Sequence, residues 1–332
     1  MRLLVFGGSV FLSRTVAELA VRQGHDVTCV NRGVSGTVPE GVRHVVGDRD
    51  ADDGLAGVKG EQFDAVVDIA RRPSQVRRAV RDLSADVGHW TFVSTANVYA
   101  DTATPGQHAD TAPLLQAASP DADETQRELY GPLKVACEDV VRAELADRAL
   151  IVRAGLIGGP HDTSDRFSYW PLRLARGGEV VAPGGPENLI QVIDVRDLAG
   201  WFVRAAEQGV VGTYDGIGDT MTFGKFLERV AVGVGAAPPP LTWMDQEFLL
   251  AHNVETYMGE RSLPLWVPLP EYAGWQTRDG SPARAAGLRC RDIADSARET
   301  LAWARQARRA FPGKAGLTEA EEAELLAAWH CR

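Results

Sequence analysis

The strongest constraint on this chain is a rhythm in its first half, where short apolar runs alternate with stretches whose apolar residues recur at helical spacing. Strand-like runs fall at 2–6, 26–30, 42–46, 63–69, 89–94 and 149–153. Between them, 11–23, 73–85 and 124–147 carry helical periodicity, as in Val135, Val140, Val141 and Leu145. Parallel strands need long crossovers, and helices are the usual ones, so the pattern predicts an α/β fold with a doubly wound parallel sheet covered on both faces.

After Gly155 the rhythm breaks, with Gly and Pro clustered at 155–160 and 183–186. A strand and turn at 190–197, a helix near 197–208, a strand near 211–215 and a helix near 222–234 predict that the chain re-enters the core before leaving again. We therefore expect a core over 1–155 and a smaller, interleaved lobe over 156–332, with 190–235 returning to the core. The stretch 236–282, rich in Pro and in aromatics such as Trp243, Trp266, Tyr272 and Trp275, has no assignable elements. Two helices are expected to close the chain at 292–310 and 318–329, the second opened by Thr318 and Glu321 at capping-box spacing.

Composition narrows the partners. A chain of 332 residues with 45% hydrophobic and 24% charged residues is ordinary for a soluble globular protein, and no run approaches the ~20 apolar residues of a membrane span. The apolar strand at the very start leaves no room for a secretory leader, so the expected address is cytoplasmic. A net charge of -10 argues against nucleic acid, whose phosphates call for clustered Lys and Arg, and toward a small-molecule substrate. Cys29, Cys137, Cys290 and Cys331 are far apart and form no CxxC pair, so no metal site is expected.

The first strand runs into Gly7-Gly8-Ser9-Val10-Phe11-Leu12-Ser13 and then a helix. That is where a Rossmann-type sheet sets a dinucleotide pyrophosphate on free backbone donors and the helix dipole, which nominates Gly7, Ser9, Val10, Phe11 and Leu12. Against GxxGxxG spacing, Gly7 fills the first position, and Val10 and Ser13 replace the other two glycines. The second strand ends at Asn31-Arg32, where an NAD enzyme normally presents a carboxylate to the ribose hydroxyls. Arg32 suits the 2'-phosphate of NADP instead, so NADP(H) is favoured, with NAD(H) as the alternative. Asp48 and Arg49 follow the third strand, with Asp48 placed to accept from the adenine amino group.

The strongest signal is a pair of motifs. The strand ending Ser94-Thr95 leads into Ala96-Asn97-Val98-Tyr99, and Tyr130-Gly131-Pro132-Leu133-Lys134 follows 35 residues after Thr95. With six Tyr and four Lys in the chain, chance supplies only about 0.07 Tyr-x-x-x-Lys pairs. Residues four apart share a helix face, so the Lys134 ammonium is expected to approach the Tyr130 phenol and favour its ionised form. Tyr130 then exchanges a proton with a substrate oxygen that Thr95 also holds, and Lys134 bonds the nicotinamide ribose.

Together these residues resemble the extended or atypical short-chain dehydrogenase/reductase superfamily, the NAD-dependent epimerase/dehydratase group. The resemblance also rests on Arg153-Ala154-Gly155-Leu156-Ile157-Gly158-Gly159-Pro160 and on Ile193-Asp194-Val195-Arg196-Asp197. It implies a dinucleotide-binding Rossmann core, the catalytic group Thr95, Tyr130 and Lys134, and contact of the segment after the sixth strand with nicotinamide, which nominates Leu156. Ala70 and Ser94 join the cofactor set, and a homodimer is a family expectation. The thinned glycine loop, Asn31 in place of an acid, and Ala154 where proline is frequent depart from the pattern.

Sugar 4,6-dehydratases of that group follow their threonine with Asp-Glu, whereas Ala96 and Asn97 follow Thr95 here, so elimination is disfavoured. Carbonyl reduction or alcohol oxidation is the favoured reaction, ahead of epimerisation through a transient ketone and of a noncatalytic dinucleotide sensor. Substrate contacts are expected from Asn97, His161, Tyr169, Trp170 and Gln191, within or near the stretches 159–170, 182–191 and 257–275.

Overall fold

The computed structural model describes residues 1–237 and 239–332; Pro238, within the unassigned stretch 236–282, lies outside them. The first half folds as β1 (Arg2–Phe6), α1 (Phe11–Arg22), β2 (Asp26–Asn31), β3 (Arg43–Val46), β4 (Phe63–Asp68), α2 (Pro73–Leu83), β5 (Val87–Thr95), α3 (Tyr130–Leu145) and β6 (Ala149–Ala154). With the strand Gly212–Gly216 these form one seven-stranded sheet, ordered (212–216)-β6-β5-β4-β1-β2-β3. Every pairing in it is parallel. The strand order reverses between β1 and β4, the crevice where doubly wound sheets bind ligands.

Successive side chains on a strand point to opposite faces, and β1 shows the consequence. Leu3 and Val5 pack with Val16, Ala17 and Ala20 of α1 and with Trp201 and Phe202 of the helix Val195–Gln208. Leu4 and Phe6 pack on the other side with Val76 and Val80 of α2 and Cys137 and Val141 of α3. Cover on both faces explains why β6 is buried along its whole length and reads as a continuous apolar run interrupted by Arg153.

α3 is shorter than the periodicity from 124 suggests. Pro132 lacks the N–H that a helix begun at 124 would need to bond the Glu128 carbonyl, and its ring would clash there. Starting at Tyr130 puts Pro132 in the first turn, where no N–H is required.

The second lobe gathers around Phe167, Tyr169, Trp170, Phe223, Phe226, Leu249 and Trp266. The return to the core is narrower than expected. The helix Val195–Gln208 and the strand Gly212–Gly216 join the sheet and its cover, whereas the helix Phe223–Val234 buries Phe223, Phe226 and Val230 in the second lobe. Its apolar stripe finds the aromatic residues there. Within 236–282, strand Leu241–Met244 pairs with Val180–Pro183, and a parallel pair joins Glu255–Tyr257 to Ser262–Pro264. The closing helices run Ile293–Gln306 and Glu319–His330, the latter with its Thr318–Glu321 capping box formed. Among the described residues no helix is long and apolar enough to cross a membrane.

Candidate active site

Beyond β1 the chain turns on Gly7 and Gly8, both left-handed at φ 109° and 91°. Gly8 has no room for a side chain, since a Cβ there would lie 2.2 Å from Cys29 Sγ. The turn leads to Val10 and α1, whose N-terminus has no side-chain cap. A helix start leaves its first amide donors without intrahelical partners, so the loop offers them to an anion. Phe11, the first helical residue, is itself left-handed at φ 41°, a conformation that a bulky side chain takes only when its surroundings hold it there. A glycine cradle, uncapped donors and the switch point beside them fit a dinucleotide pyrophosphate.

Asn31 differs from its expected role. Its Nδ2 donates to the Gly7 carbonyl at 2.6 Å, and its Oδ1 accepts from Gly33 N at 2.8 Å and lies 3.1 Å from His44 Nε2. With both acceptor positions filled, Asn31 ties the cofactor loop to the end of β2 and leaves no lone pair for ribose hydroxyls. Arg32 is exposed, and its charge reaches Asp50 without forming an ion pair among the described residues. Asp48 is also exposed, its Oδ1 accepting from Asp50 N at 3.0 Å in a local turn.

Arg49 turns inward. Its guanidinium lies 4.0 Å from the centre of the Phe6 ring and forks onto Asp68 at 2.6 and 3.0 Å. Asp68, fully buried at the end of β4, was not singled out from the sequence. A carboxylate ending an apolar strand was the available signal, because such a charge must be paired when buried. Arg49 is thus a wall of the groove, bracing β1 against β4.

The residues expected to form a catalytic group are held by one close approach. Thr95 ends β5, and its hydroxyl accepts from Asn97 N at 3.2 Å and donates to Asn97 Oδ1 at 3.0 Å, fixing the turn 96–98. The first turn of α3 rests on that turn so tightly that a Cβ on Gly131 would lie 2.4 Å from the Asn97 carbonyl oxygen. Tyr130, half-buried, therefore starts its helix beside the turn that carries Thr95.

Lys134 lies one helical turn further on and is buried. Its ammonium donates to the carbonyls of Ala70 at 2.7 Å and Val93 at 2.5 Å and sits 4.1 Å from the centre of the Phe92 ring. These strand-end carbonyls, and not the phenol, hold the ammonium, and Ala70 enters the site through its carbonyl. Two of three ammonium hydrogens are engaged, leaving one to donate. Burial lowers the Lys134 pKa from 10.5 to about 8, against the fields of Cys137 and Asp68.

The sign of the resulting pH dependence follows. Below about 8 Lys134 is charged whether folded or not, and the cost of burying that charge is felt in full. Between about 8 and 10.5 the unfolded chain binds more protons, so this group favours folding increasingly as pH rises, while the ammonium itself is lost. Wild type is expected to bind a nicotinamide dinucleotide more weakly above about pH 8, and Lys134→Met to bind weakly at all pH. Titrations of both proteins across that window, with thermal midpoints, check this; a wild-type affinity flat through it sinks the assignment.

Ser94 turns its side chain toward α3. Its hydroxyl donates to buried Glu138 at 2.5 Å, because alternation along β5 turns it under α3. Leu156 does line a cavity of about 20 Å³, room for roughly one water, with Asn97, Gly155, Ile217, Tyr257 and Trp275. Gln191 borders it too, with both amide hydrogens given to Thr220 and the Arg278 carbonyl and its oxygen accepting from Arg278 N, so it has no hydrogen left to donate to a ligand. Tyr169 and Trp170 are completely buried, Tyr169 stacked on Phe311 and Trp170 bonded to the Pro264 carbonyl, so both are lobe core. His161 rests against Trp303, where the charges of Glu18 and Arg14 on α1 reach it. Tyr257, not named individually from the sequence, reaches the cavity alongside Trp275.

The sheet order and the loop at its switch point define a Rossmann-type dinucleotide-binding protein of the short-chain dehydrogenase/reductase kind. The model of the NAD dependent epimerase/dehydratase family matches residues 3–215, and the chain belongs to that family. It is similar to the chloroplast stem-loop binding protein of 41 kDa b from Arabidopsis thaliana, 23% identical over 218 residues, 61% of this chain and 54% of that protein. The chain thus matches about half the length of that relative. A dTDP-glucose 4,6-dehydratase from Bacillus anthracis, solved in complex with NAD, superposes with a TM-score of 0.65 at 14% identity, covering 98% of this chain and 99% of its own. A UDP-glucose 4-epimerase from Thermotoga maritima, solved with UDP-glucose, gives 0.64 at 14% identity, covering 93% and 100%. At such identities the likeness is one of fold.

Proposed function

We propose that this chain is an NADP(H)-dependent oxidoreductase that interconverts a small carbonyl compound and its alcohol, with Tyr130 as the proton donor and acceptor. The observation that carries the reading is the seat of α3 on the 96–98 turn, with Gly131 against the Asn97 carbonyl, so that the helix begun by Tyr130 packs on the turn that follows Thr95, while Lys134 holds the carbonyls of Ala70 and Val93. When bound, the dinucleotide supplies the hydride exchange.

The protein's own residues supply the rest. Gly7, Ser9, Val10, Phe11 and Leu12 hold the pyrophosphate on backbone donors, and Asn31 keeps that loop in place. Lys134 gives its remaining hydrogen to the nicotinamide ribose, Tyr130 passes a proton to the substrate oxygen, and Thr95 turns its one hydroxyl hydrogen from Asn97 Oδ1 to that oxygen when substrate binds. Asn97 fixes the Thr95 hydroxyl and lines the substrate cavity with Leu156. Ala96 and Asn97, where a dehydratase of this family carries Asp-Glu, support redox chemistry over elimination. The net charge of -10 supports a small-molecule partner over nucleic acid.

Cofactor choice tests the reading. Arg32, exposed at the end of β2 with no acid beside it on the strand, suits a 2'-phosphate. Tryptophan quenching is expected to show NADPH binding more tightly than NADH, and Arg32→Ser is expected to weaken NADPH roughly tenfold or more with little change for NADH. Turnover of aldehydes or ketones should accompany the binding. A tightly held NAD that survives purification would instead favour epimerisation, and NADPH binding without turnover across the panel would favour a sensor.

A further inference from the structure

The loop between β4 and α2 presents the Ala70 carbonyl to the Lys134 ammonium at 2.7 Å, and a single side chain grips that loop at both of its ends. Before the loop, Arg49 forks onto Asp68, Nη1 to Oδ1 at 2.6 Å and Nη2 to Oδ2 at 3.0 Å. After it, the same Nη2 donates at 2.9 Å to the Gln75 carbonyl in the first turn of α2. Within the loop, Asp68 Oδ1 also accepts from Ala70 N at 2.9 Å, closing the short turn that an Asp side chain makes with the backbone two residues on. The guanidinium is supported on its face as well, by the Phe6 ring.

Burial makes this arrangement informative. The Asp68 side chain is wholly enclosed and that of Arg49 is 10% exposed. A buried ion pair is weak ground for stability, because apolar side chains of similar volume would brace β1 against β4 at least as well. What they would lack is a planar fork of donors, which here fixes two carboxylate oxygens and a helix carbonyl relative to one another. The contacts then run without a break from Gln75 and Asp68 on Arg49, through Ala70 N on Asp68, to the Ala70 carbonyl on Lys134. The two carbonyls that hold the ammonium are not fixed alike. Val93 lies inside β5, where pairing with β6 already sets its carbonyl, whereas Ala70 lies between β4 and α2 and depends on what holds the loop.

We propose that Arg49 and Asp68 are positioning residues for Lys134: by gripping the loop after β4 at both ends they fix the Ala70 carbonyl, and through it the ammonium. The proposal rests on the functional reading above only for the use of Lys134 toward the dinucleotide, and it extends that site to a residue beyond β3 and another at the end of β4.

The chain has four lysines, so protein made with lysine isotope-labelled at Cε gives four resonances, and the one lost in Lys134→Met reports Lys134 with no dinucleotide present. Two variants separate grip from charge. Arg49→Lys keeps a cation beside Asp68 but cannot fork onto Asp68 and reach Gln75 together, and Arg49→Met combined with Asp68→Asn removes both charges and leaves neither buried alone. Loosening the loop takes away an acceptor that favours the charged ammonium, so the Lys134 midpoint, about 8 in wild type, is expected to fall by roughly half a pH unit or more in each variant. Amide exchange over the loop 69–74 is expected to quicken about tenfold, and dinucleotide affinity at neutral pH to drop about threefold or more. A lowered midpoint with unchanged affinity would uphold the positioning and remove Lys134 from cofactor binding, so the two readings fail separately. An unchanged midpoint, or a lowered one with unchanged exchange, in whichever variant keeps wild-type circular dichroism overturns the proposal, and so does loss of folding in both.

Discussion

Tyr130→Phe should lower turnover by roughly 100- to 10,000-fold, the usual worth of a positioned proton donor, while leaving dinucleotide affinity within about twofold. The separation of effects follows from how the site is held. Lys134 is anchored by the carbonyls of Ala70 and Val93 rather than by the phenol, so removing one oxygen from Tyr130 leaves its ammonium in place. Gly131 still seats α3 against the Asn97 carbonyl. Steady-state rates and cofactor titrations on the same preparations measure both quantities. A variant that loses binding along with turnover would mean that the phenol is structural, and one that retains turnover would remove Tyr130 from the chemistry.

Much of this site was legible because its signals are local. Tyr130 and Lys134 declare themselves by spacing, and Gly7 and Gly8 by their place after an apolar strand. Their partners were not legible, because those partners are brought in by the sheet. Nothing near Lys134 in sequence points to carbonyls 64 and 41 residues away, and nothing near Arg49 points to Asp68 as its buried partner. Asn31 stands in the sequence as a departure, an amide in place of an acid, yet that amide bridges two loops, a use visible only once β1 and β2 lie side by side. Tyr169 and Trp170 show the opposite failure. Aromatic residues in a Gly-rich stretch read equally as ligands or as core, and three-dimensional packing against Phe311 and Phe223 makes them core.

The fold follows the same division. Strands covered on both faces announce themselves as apolar runs, so the seven-stranded sheet was anticipated up to its last strand. The second lobe is built from strands of three or four residues paired across long gaps, such as Val180–Pro183 with Leu241–Met244, and so short a run carries no period to read.

Glu138→Gln tests what supports β5 from beneath and is expected to cost about 3–5 kcal/mol of stability. Glu138 is fully buried and accepts from Ser94 at 2.5 Å, from Arg153 Nη2 at 2.8 Å and from Arg142 at 2.6 Å. Arg153, 2% exposed, pairs with no other carboxylate among the described residues, and its remaining bonds go to the Tyr99 hydroxyl and the Ala109 carbonyl. An amide keeps the shape of the carboxylate but leaves a buried guanidinium uncompensated, which is why the loss should approach that of breaking a buried pair. Arg142, with 38% of its side chain exposed, is the control. Its loss to Ala should cost at most about 1 kcal/mol, as expected where water screens the charge. Burial alone would raise the Glu138 pKa, but the bonds and charge of Arg153, with Ser94 and Arg142, carry it below its ordinary 4.5. Its contribution is therefore complete above about 4.5 and is lost as pH falls through the lowered folded value. Urea midpoints of wild type and Glu138→Gln should accordingly differ most near neutral pH and converge in acid, with the slope of unfolding unchanged. A Glu138→Gln loss no larger than that of Arg142→Ala, or a gap between the curves that persists at low pH, would show that the strand bearing Ser94 and Thr95 does not depend on this ion pair.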